Sequence, residues 1–351
     1  MNIKELAKSF VRNPNRERRA RHKSLLNYKN GKFQNIEDTP FFTGKGNLLS
    51  AIIERMKIPS DASPKSEIPH QFTDIKALDS TENVLIWFGH SSYFMQVDGK
   101  KILVDPILCG HASPFSWMTK SFAGSDVYKA SDIPAIDFLF ITHDHWDHLD
   151  YQTVEALKNQ TSKVICGLGV GQHFEYWGWE KKKIEEHNWG DRVDLGNGFQ
   201  VNYTPARHFG GRSFRRNTTL WTSFVLTTPT FRIFIGGDSG YGKHFKEIGE
   251  QFGSFDLAIL ECGQYNEKWV LVHSFPEETV KAAKDLGAKC FLPVHHSKFL
   301  LAQHSWYEPL ERVTVSAETN KTPVLTPLIG EKVKLENLLQ QSFCQWWKRN
   351  L

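Results

Sequence analysis

The sequence predicts an α/β fold in which sheets carry helices on their outer faces. Three observations predict it. Apolar, β-rich runs come first and are spaced as hairpin strands. Strands mixed with helical segments follow. The motif His143-Asp144-His145-Trp146-Asp147-His148 stands directly behind Phe138-Leu139-Phe140-Ile141-Thr142, a run that reads as a buried strand. The chain has 351 residues, 40% hydrophobic and 23% charged, which are globular values and enough for a sizeable core. The formal charge of +4 is mild and does not argue for nucleic acid.

Residues 1–75 read as a basic and polar extension that packs on, or extends from, a body spanning 76–351. Ile3, Leu6, Ala7, Phe10 and Val11 fall on one helical face, with Lys4, Lys8 and Arg12 elsewhere. Such a helix suits an anionic membrane surface or a dock on the protein's own body. Strands are expected at 84–88, 92–97 and 101–105, with Asp98-Gly99 as a hairpin turn. The motif strand covers 137–142, and a helix spans 151–159. Further strands are expected at 163–166, 199–203, 221–227, 231–236, 256–261 and 290–294. Helices are expected at 243–252, 276–286 and 307–315. Ser274, Pro276 and the acids behind it mark a helix start.

Five cysteines, odd in number and without a C-x-x-C pair, favour free thiols in a reducing compartment. No apolar stretch approaches a membrane span, and the N-terminus lacks the apolar core of a secretory signal. The expected location is cytoplasmic, with peripheral contact to the inner membrane surface as a further expectation. The aromatic and basic tail 343–349 suits either a membrane interface or a docked end.

Three imidazoles and a carboxylate packed as tightly as in the motif are costly to hold together without a cation. Neutral imidazole nitrogen and carboxylate oxygen are donors that borderline metals such as zinc prefer. One loop cannot supply a closed pair of metals, so further donors should follow other strands. His208, Asp238 and His295 each come just after an apolar run.

In the order H-x-H-x-D-H, then His, Asp and His, the chain resembles the metallo-β-lactamase superfamily. More narrowly it is similar to the N-acyl-phosphatidylethanolamine-hydrolysing phospholipase D family. Supporting segments include Trp87-Phe88-Gly89-His90-Ser91-Ser92, Asp105-Pro106, Gly237-Asp238-Ser239-Gly240-Tyr241 and His273-Ser274-Phe275-Pro276. The resemblance implies a four-layer αββα sandwich with two divalent metals at one edge. His143, His145 and His208 would hold one metal, Asp147, His148 and His295 the other, and Asp238 would bridge them. Zinc is the metal the resemblance favours; N/O-only ligands also admit iron or manganese. The family commonly carries an aromatic residue where His296 stands, which leaves His296 as a candidate substrate contact.

A pair of metals lowers the pKa of bound water and stabilises leaving oxygens, so the site suits hydrolysis of phosphodiesters or activated esters. The expected function is a phospholipase D-type phosphodiesterase acting on N-acylphosphatidylethanolamine-like lipids. The alternative is a lactonase of a phosphorylated sugar or related small ester. Catalytic roles fall to Asp147, Asp238 and His273. The resemblance implies that His273 reaches the substrate phosphate, and it could protonate a leaving oxygen. Tyr265 and Trp269 could wall a substrate pocket or pack in the core. His90 could orient a ligand or contact substrate, and Arg207 and Lys298 are candidate phosphate contacts. Expected partners are a phospholipid or small phosphodiester and no nucleic acid. The oligomeric state is open, a homodimer included.

Overall fold

The computed structural model describes residues 8–10, 14–43, 58–212 and 215–350. Most of the amphipathic segment expected at residues 3–12 therefore lies outside the described residues. The first complete helix, Arg16–His22 (α1), is capped by Asn15, whose side chain accepts from Arg18 N at 2.8 Å. The strands Tyr28–Lys29 (β1) and Lys32–Phe33 (β2) form a small hairpin behind it.

Seven strands make the first large sheet. They are Val84–Trp87 (β3), Tyr93–Val97 (β4), Lys100–Val104 (β5), Ile136–Ile141 (β6), Thr161–Gly167 (β7), Ile184–His187 (β8) and a late strand described below. The pairs β3–β4 and β4–β5 are antiparallel, whereas β5 to β8 run parallel. Alternation along each strand divides two cores. Leu85, Trp87, Met95, Ile102, Val104 and Phe140 face the second sheet. Ile86, Phe94, Leu103, Leu139, Val164 and Cys166 face the helices Tyr151–Leu157 (α2) and Gly171–Tyr176 (α3).

The second sheet contains Arg192–Gly196 (β9), Phe199–Thr204 (β10), Ser223–Thr227 (β11), Arg232–Ile235 (β12), Leu257–Glu261 (β13) and Phe291–Val294 (β14). Its strands are antiparallel through β12 and parallel from β12 to β14. The helices His244–Phe252 (α4), Pro276–Asp285 (α5) and Glu308–Thr319 (α6) add Phe245, Ile248, Val280, Ala283, Leu310 and Val313 to the same core. The late strand Lys332–Lys334 (β15) returns to the first sheet beside β3. Phe140 of one sheet meets Phe224 of the other edge to face, with centroids 5.2 Å apart. The result is the expected αββα arrangement of four layers.

Residues before 76 touch the body at several points. Arg18 pairs with Glu175 at 2.7 Å and Glu186 at 3.3 Å. Tyr28 and Phe33 join a small apolar cluster with Leu220 and Trp221. The tail residues Trp346 and Trp347 are buried, and their indoles donate to Thr326 O and Glu311 Oε2. That placement is the docked tail rather than the membrane-facing one. The five cysteines are unpaired. Among the described residues, no helix is long and apolar enough to cross a membrane.

His22 is fully buried against Tyr28 and Phe33. Burial, helped by Arg21 and Arg18, pushes its pKa down to about 4. A depressed histidine stays neutral in the folded state while the unfolded chain takes up a proton. Docking of this segment is therefore predicted to weaken as pH falls from about 6.5 to about 4. Limited proteolysis near residues 16–33 should accelerate over that window, and His22→Phe should flatten the dependence.

Candidate metal centre

Strand direction gathers the site. Within the first sheet β3, β5 and β6 run the same way, as do β10, β12, β13 and β14 within the second, and donors that follow strands of both sheets lie within 4.8 Å of one another. The loop after β6 carries His143, His145, Asp147 and His148. His208 follows β10, Asp238 follows β12 and His295 follows β14. All seven predicted ligands are thus brought together.

Two groups of donor atoms form there, each within 4.8 Å. One contains His143, His145, His208 and Asp238; the other contains Asp147, His148, His295 and His90. In the first, His143 Nε2 stands 2.8 Å and His208 Nε2 3.2 Å from His145 Nδ1. In the second, His295 Nε2 and His148 Nε2 lie 3.3 and 3.6 Å from Asp147 Oδ2. Asp238 Oδ2 lies between the groups, 3.1 Å from His295 Nε2, 3.2 Å from His148 Nε2, 3.7 Å from His208 Nε2 and 3.8 Å from His143 Nε2. Gly237 permits this approach: its φ is +61°, and a Cβ there would meet Thr142 Cβ at 2.8 Å.

The outer ring nitrogens are held by the scaffold. Asp105 Oδ2 meets His148 Nδ1 at 2.8 Å and is itself fixed by Thr142, whose N–H and hydroxyl donate at 2.8 and 2.6 Å. His208 Nδ1 donates to Val272 O at 2.8 Å, and His295 Nδ1 to Gly263 O at 3.2 Å. Each contact leaves the opposite nitrogen facing inward with a defined tautomer. The motif loop is pinned from outside as well. Asp144 accepts from Gly211 N at 2.6 Å and lies 3.1 Å from His173 Nε2. Arg212 donates to the carbonyls of Asp144, His145 and Leu149 and stacks 3.7 Å over Trp146. Asp150 ends the loop by capping α2.

Electrostatics in this dry pocket are unbalanced. Burial drives His143 well below the ordinary imidazole value and takes His145 and His208 to about 3. At His148 and His295 burial acts the same way but is outweighed. Asp238, Asp147 and Asp105 hold His148 well above its usual value, while Asp238, Asp147 and Glu261 raise His295 to about 10. Burial also raises Asp147 and Asp238, yet the surrounding imidazoles hold both well below the carboxylate range. Asp238 Oδ1 and His148 Nε2 are buried without a hydrogen bond among the described residues. Converging imidazole nitrogens and ionised oxygens with unsatisfied buried atoms fit a divalent metal's donor set.

The other predicted residues divide. His273 lies at the site, with Nδ1 2.7 Å from Glu261 Oε2 and its ring 5.0 Å from that of His208. His90 Nε2 is 3.0 Å from Asp147 Oδ2, and its ring is fully buried, so it touches a ligand rather than the open side. Trp269 lines an open cleft of about 660 Å³ together with Phe42, Ile58, Trp117, Met118 and Leu301. Tyr265 is buried, stacks on His304 and donates to Glu308 Oε1 at 2.7 Å, which is core packing. His296 is buried on Trp87, with its ring nitrogens beside Ser297 Oγ and Pro293 O. That enclosure does not suit the expected substrate contact. Arg207 and Lys298 also differ from expectation. Arg207 binds Thr39 Oγ1, Tyr241 O and Asp38 O, and the buried Lys298 binds Phe88 O and Ile107 O.

The residues that sequence reasoning left without a role are those that hold the ligands. Asp105 and Asp144 entered only as parts of motifs, Glu261 only as the end of a strand, and Arg212 and His173 not at all. Asn35, in the N-terminal extension, accepts from His208 N at 3.1 Å and donates to His208 O at 2.8 Å. Acidic residues closing apolar strands, as at Asp105 and Glu261, are the signal that could have found two of them.

Fold and site together define a metal-dependent hydrolase of the metallo-β-lactamase fold. The chain belongs to the beta-lactamase superfamily: the family description "Beta-lactamase superfamily domain" matches residues 100–296. An uncharacterised protein of Mycobacterium tuberculosis is 36% identical over 92% of this chain and 87% of its own length. The N-acyl-phosphatidylethanolamine-hydrolyzing phospholipase D 1 of Caenorhabditis elegans is 28% identical over 80% of this chain and 83% of its own. Among solved structures, Igni18, a metallo hydrolase of Ignicoccus hospitalis, superposes with a TM-score of 0.56 at 21% identity, covering 72% of this chain and 98% of that one.

If the Asp105–His148 contact orients a ligand, Asp105→Asn should weaken metal binding about ten- to a hundredfold. Competition against a chromophoric chelator measures it. An unchanged affinity would assign Asp105 to the fold alone.

Proposed function

We propose that the protein is a dinuclear phosphodiesterase of phospholipase D type, acting on N-acylphosphatidylethanolamine-like lipids. The observation that carries the reading is the pair of donor groups sharing Asp238 Oδ2 next to a large, mainly apolar cleft. The cleft wall is linked to the donors through a few intervening residues. Trp269 Nε1 donates to Gln264 O, and Gln264 follows Gly263, the residue that holds His295. Leu300 and Leu301 follow Phe299, whose ring lies 5.2 Å from that of His90. A phosphodiester at the cluster could therefore extend acyl chains over Trp269, Trp117 and Leu301. Lys120 and Lys268 on the same cleft suit an anionic headgroup or membrane surface. The likeness to the nematode phospholipase supports the same substrate class.

His143, His145 and His208 would hold one metal, Asp147, His148 and His295 the other, with Asp238 between them; zinc suits these donors. When bound, such a pair lowers the pKa of water and offsets charge developing on the phosphoryl oxygens. The chain's own residues do the rest. Asp147 and Asp238 keep the imidazoles in place, and burial excludes bulk water. His273 has Nδ1 engaged with Glu261, which leaves Nε2 as the atom that would take a proton from the attacking water and pass it to the departing oxygen. Hydrolysis breaks the bond between phosphorus and the ethanolamine oxygen, adds water's oxygen to phosphorus, and yields a phosphatidic acid and an N-acylethanolamine.

Zinc-loaded protein is expected to release phosphatidic acid from N-acylphosphatidylethanolamine vesicles, and Asp238→Ala to lose about a thousandfold or more in turnover. Turnover of a phosphorylated-sugar lactone far above that of the lipid would overturn the reading in favour of the lactonase. For the cleft, Trp269→Ala should raise the lipid KM about tenfold, in keeping with loss of part of an indole's apolar contact. An unchanged KM would place the acyl chains elsewhere.

A further inference from the structure

β10 ends at Thr204, where its ladder to β11 closes at Ser223. His208 lies beyond that ladder and is fully buried, backbone included. Buried N–H and C=O groups need partners, and here one side chain supplies both. Asn35 Oδ1 accepts from His208 N at 3.1 Å, and Asn35 Nδ2 donates to His208 O at 2.8 Å. The same Oδ1 accepts from the Trp221 indole at 3.0 Å. Two N–H groups face one amide atom and a carbonyl faces the other, so the partners fix which way the amide points.

Asn35 belongs to a strap, residues 33–43, that runs beside the His208 loop. Phe33 N donates to Asn217 O at 2.8 Å. Arg207 reaches back to Asp38 O and Thr39 Oγ1, both at 3.1 Å. Phe41 meets Phe209 edge to face at 4.9 Å, and Phe209 packs on the rings of His145 and His208 at 4.4 and 4.6 Å. Thr43 N then donates to Lys268 O at 2.8 Å on the cleft wall. Both ligands that the strap reaches belong to the donor group of His143, His145, His208 and Asp238. Among the described residues, no hydrogen bond or ring contact joins the strap to Asp147, His148 or His295.

We propose that Asn35 is the positioning residue for His208, which makes the N-terminal extension a working part of one metal site, that of His143, His145 and His208. The side-chain amide does for His208 what a neighbouring strand does for a residue inside a sheet. It sets the position of the backbone and so the reach of Nε2 toward His145 and Asp238. The ring itself has a separate holder, Val272 O, which accepts from Nδ1 at 2.8 Å. Alanine at position 35 would leave the buried His208 N–H and C=O unpaired. Aspartate would keep an acceptor for the two N–H groups but set a second oxygen against His208 O, so only an amide satisfies all three contacts. The inference rests on the dinuclear reading for the existence of two sites and is independent of the substrate.

The test compares full-length wild type with Asn35→Ala, both zinc-loaded and titrated against a chromophoric chelator. One of the two equivalents is expected to weaken about ten- to a hundredfold in the variant, while the other changes less than about threefold. In ¹¹³Cd-loaded protein, the resonance that Asn35→Ala shifts should be the one that His145→Gln shifts or removes. Equal weakening of both equivalents, or weakening of neither, overturns the proposal, since a residue that serves only the fold would loosen both sites or none. Asn35→Asp is nearly isosteric and should weaken the same equivalent, which keeps the test open if the alanine variant fails to fold. Hydrogen exchange needs no variant: the His208 amide should be protected in zinc-loaded wild type, and rapid exchange there overturns the proposal as well. Wild type that binds a single ion would sink the dinuclear reading. A tenfold loss of that ion's affinity in Asn35→Ala would then still uphold the role of Asn35, and an unchanged affinity would overturn it.

Discussion

The rest of the structure depends on one carboxylate oxygen. Asp238 Oδ2 stands between imidazoles from three different loops, those of His148, His295, His208 and His143, all within 3.8 Å. In a low-dielectric pocket such contacts are strong whichever sign prevails. Without compensation, neutral imidazoles and two ionised aspartates would each lose their hydration for little return. The pKa pattern is the protein's own partial answer, with His148 and His295 driven toward the cation and the remaining rings kept neutral. A divalent metal satisfies the same charges with less proton rearrangement, which is why the donor set reads as a metal centre.

Convergence of this kind strains the backbone at the residues that carry it. His90, Asp105 and His295 have positive φ values of 53°, 41° and 69° without being glycine. All three sit where a strand ends and the chain must turn a side chain into the pocket. Left-handed conformations at such residues are unfavourable and persist only where surroundings over-determine them. Those surroundings are present: His90 N donates to His296 O, His295 N donates to His90 O, and Asp105 is fastened through Thr142. The loops after β3 and β14 therefore hold each other, and neither is free to relax alone.

Legibility in the sequence followed periodicity and chemistry. Strands with apolar runs, such as Phe138–Ile141 and Phe231–Ile235, were readable because both faces are buried. β8 and β9 were not: Ile184-Glu185-Glu186-His187 and Arg192-Val193-Asp194-Leu195-Gly196 are edge strands with charged, partly exposed positions, and their apolar signal is weak. The ligands were readable because histidine and aspartate behind strands are costly without a purpose. Their supports were not, since Asn35 and His173 look like ordinary polar residues until the fold brings them 173 and 29 positions along the chain to His208 and Asp144. Arg207 and Lys298, named as candidate phosphate contacts, are instead engaged with carbonyls and a hydroxyl of the chain.

The fate of the basic residues bears on how an anionic substrate would be met. Arg212, Arg207 and Lys298 are the cations closest in sequence to the ligands, and each is engaged with the chain's own carbonyls. Burial takes Lys298 down to about 8 and Arg212 to about 10, so they are the kind of cation that stabilises loops from inside. On the proposed reading, a phosphodiester in the cleft would have Lys120 and Lys268 among its neighbours, with the imidazole–carboxylate cluster as the reacting centre. Positive charge at the reacting phosphate must then be supplied within the cluster itself. On that reading, recognition of the phosphate and activation of water would fall to the same atoms, and the apolar cleft would discriminate among substrates by the shape of what is attached to the phosphate.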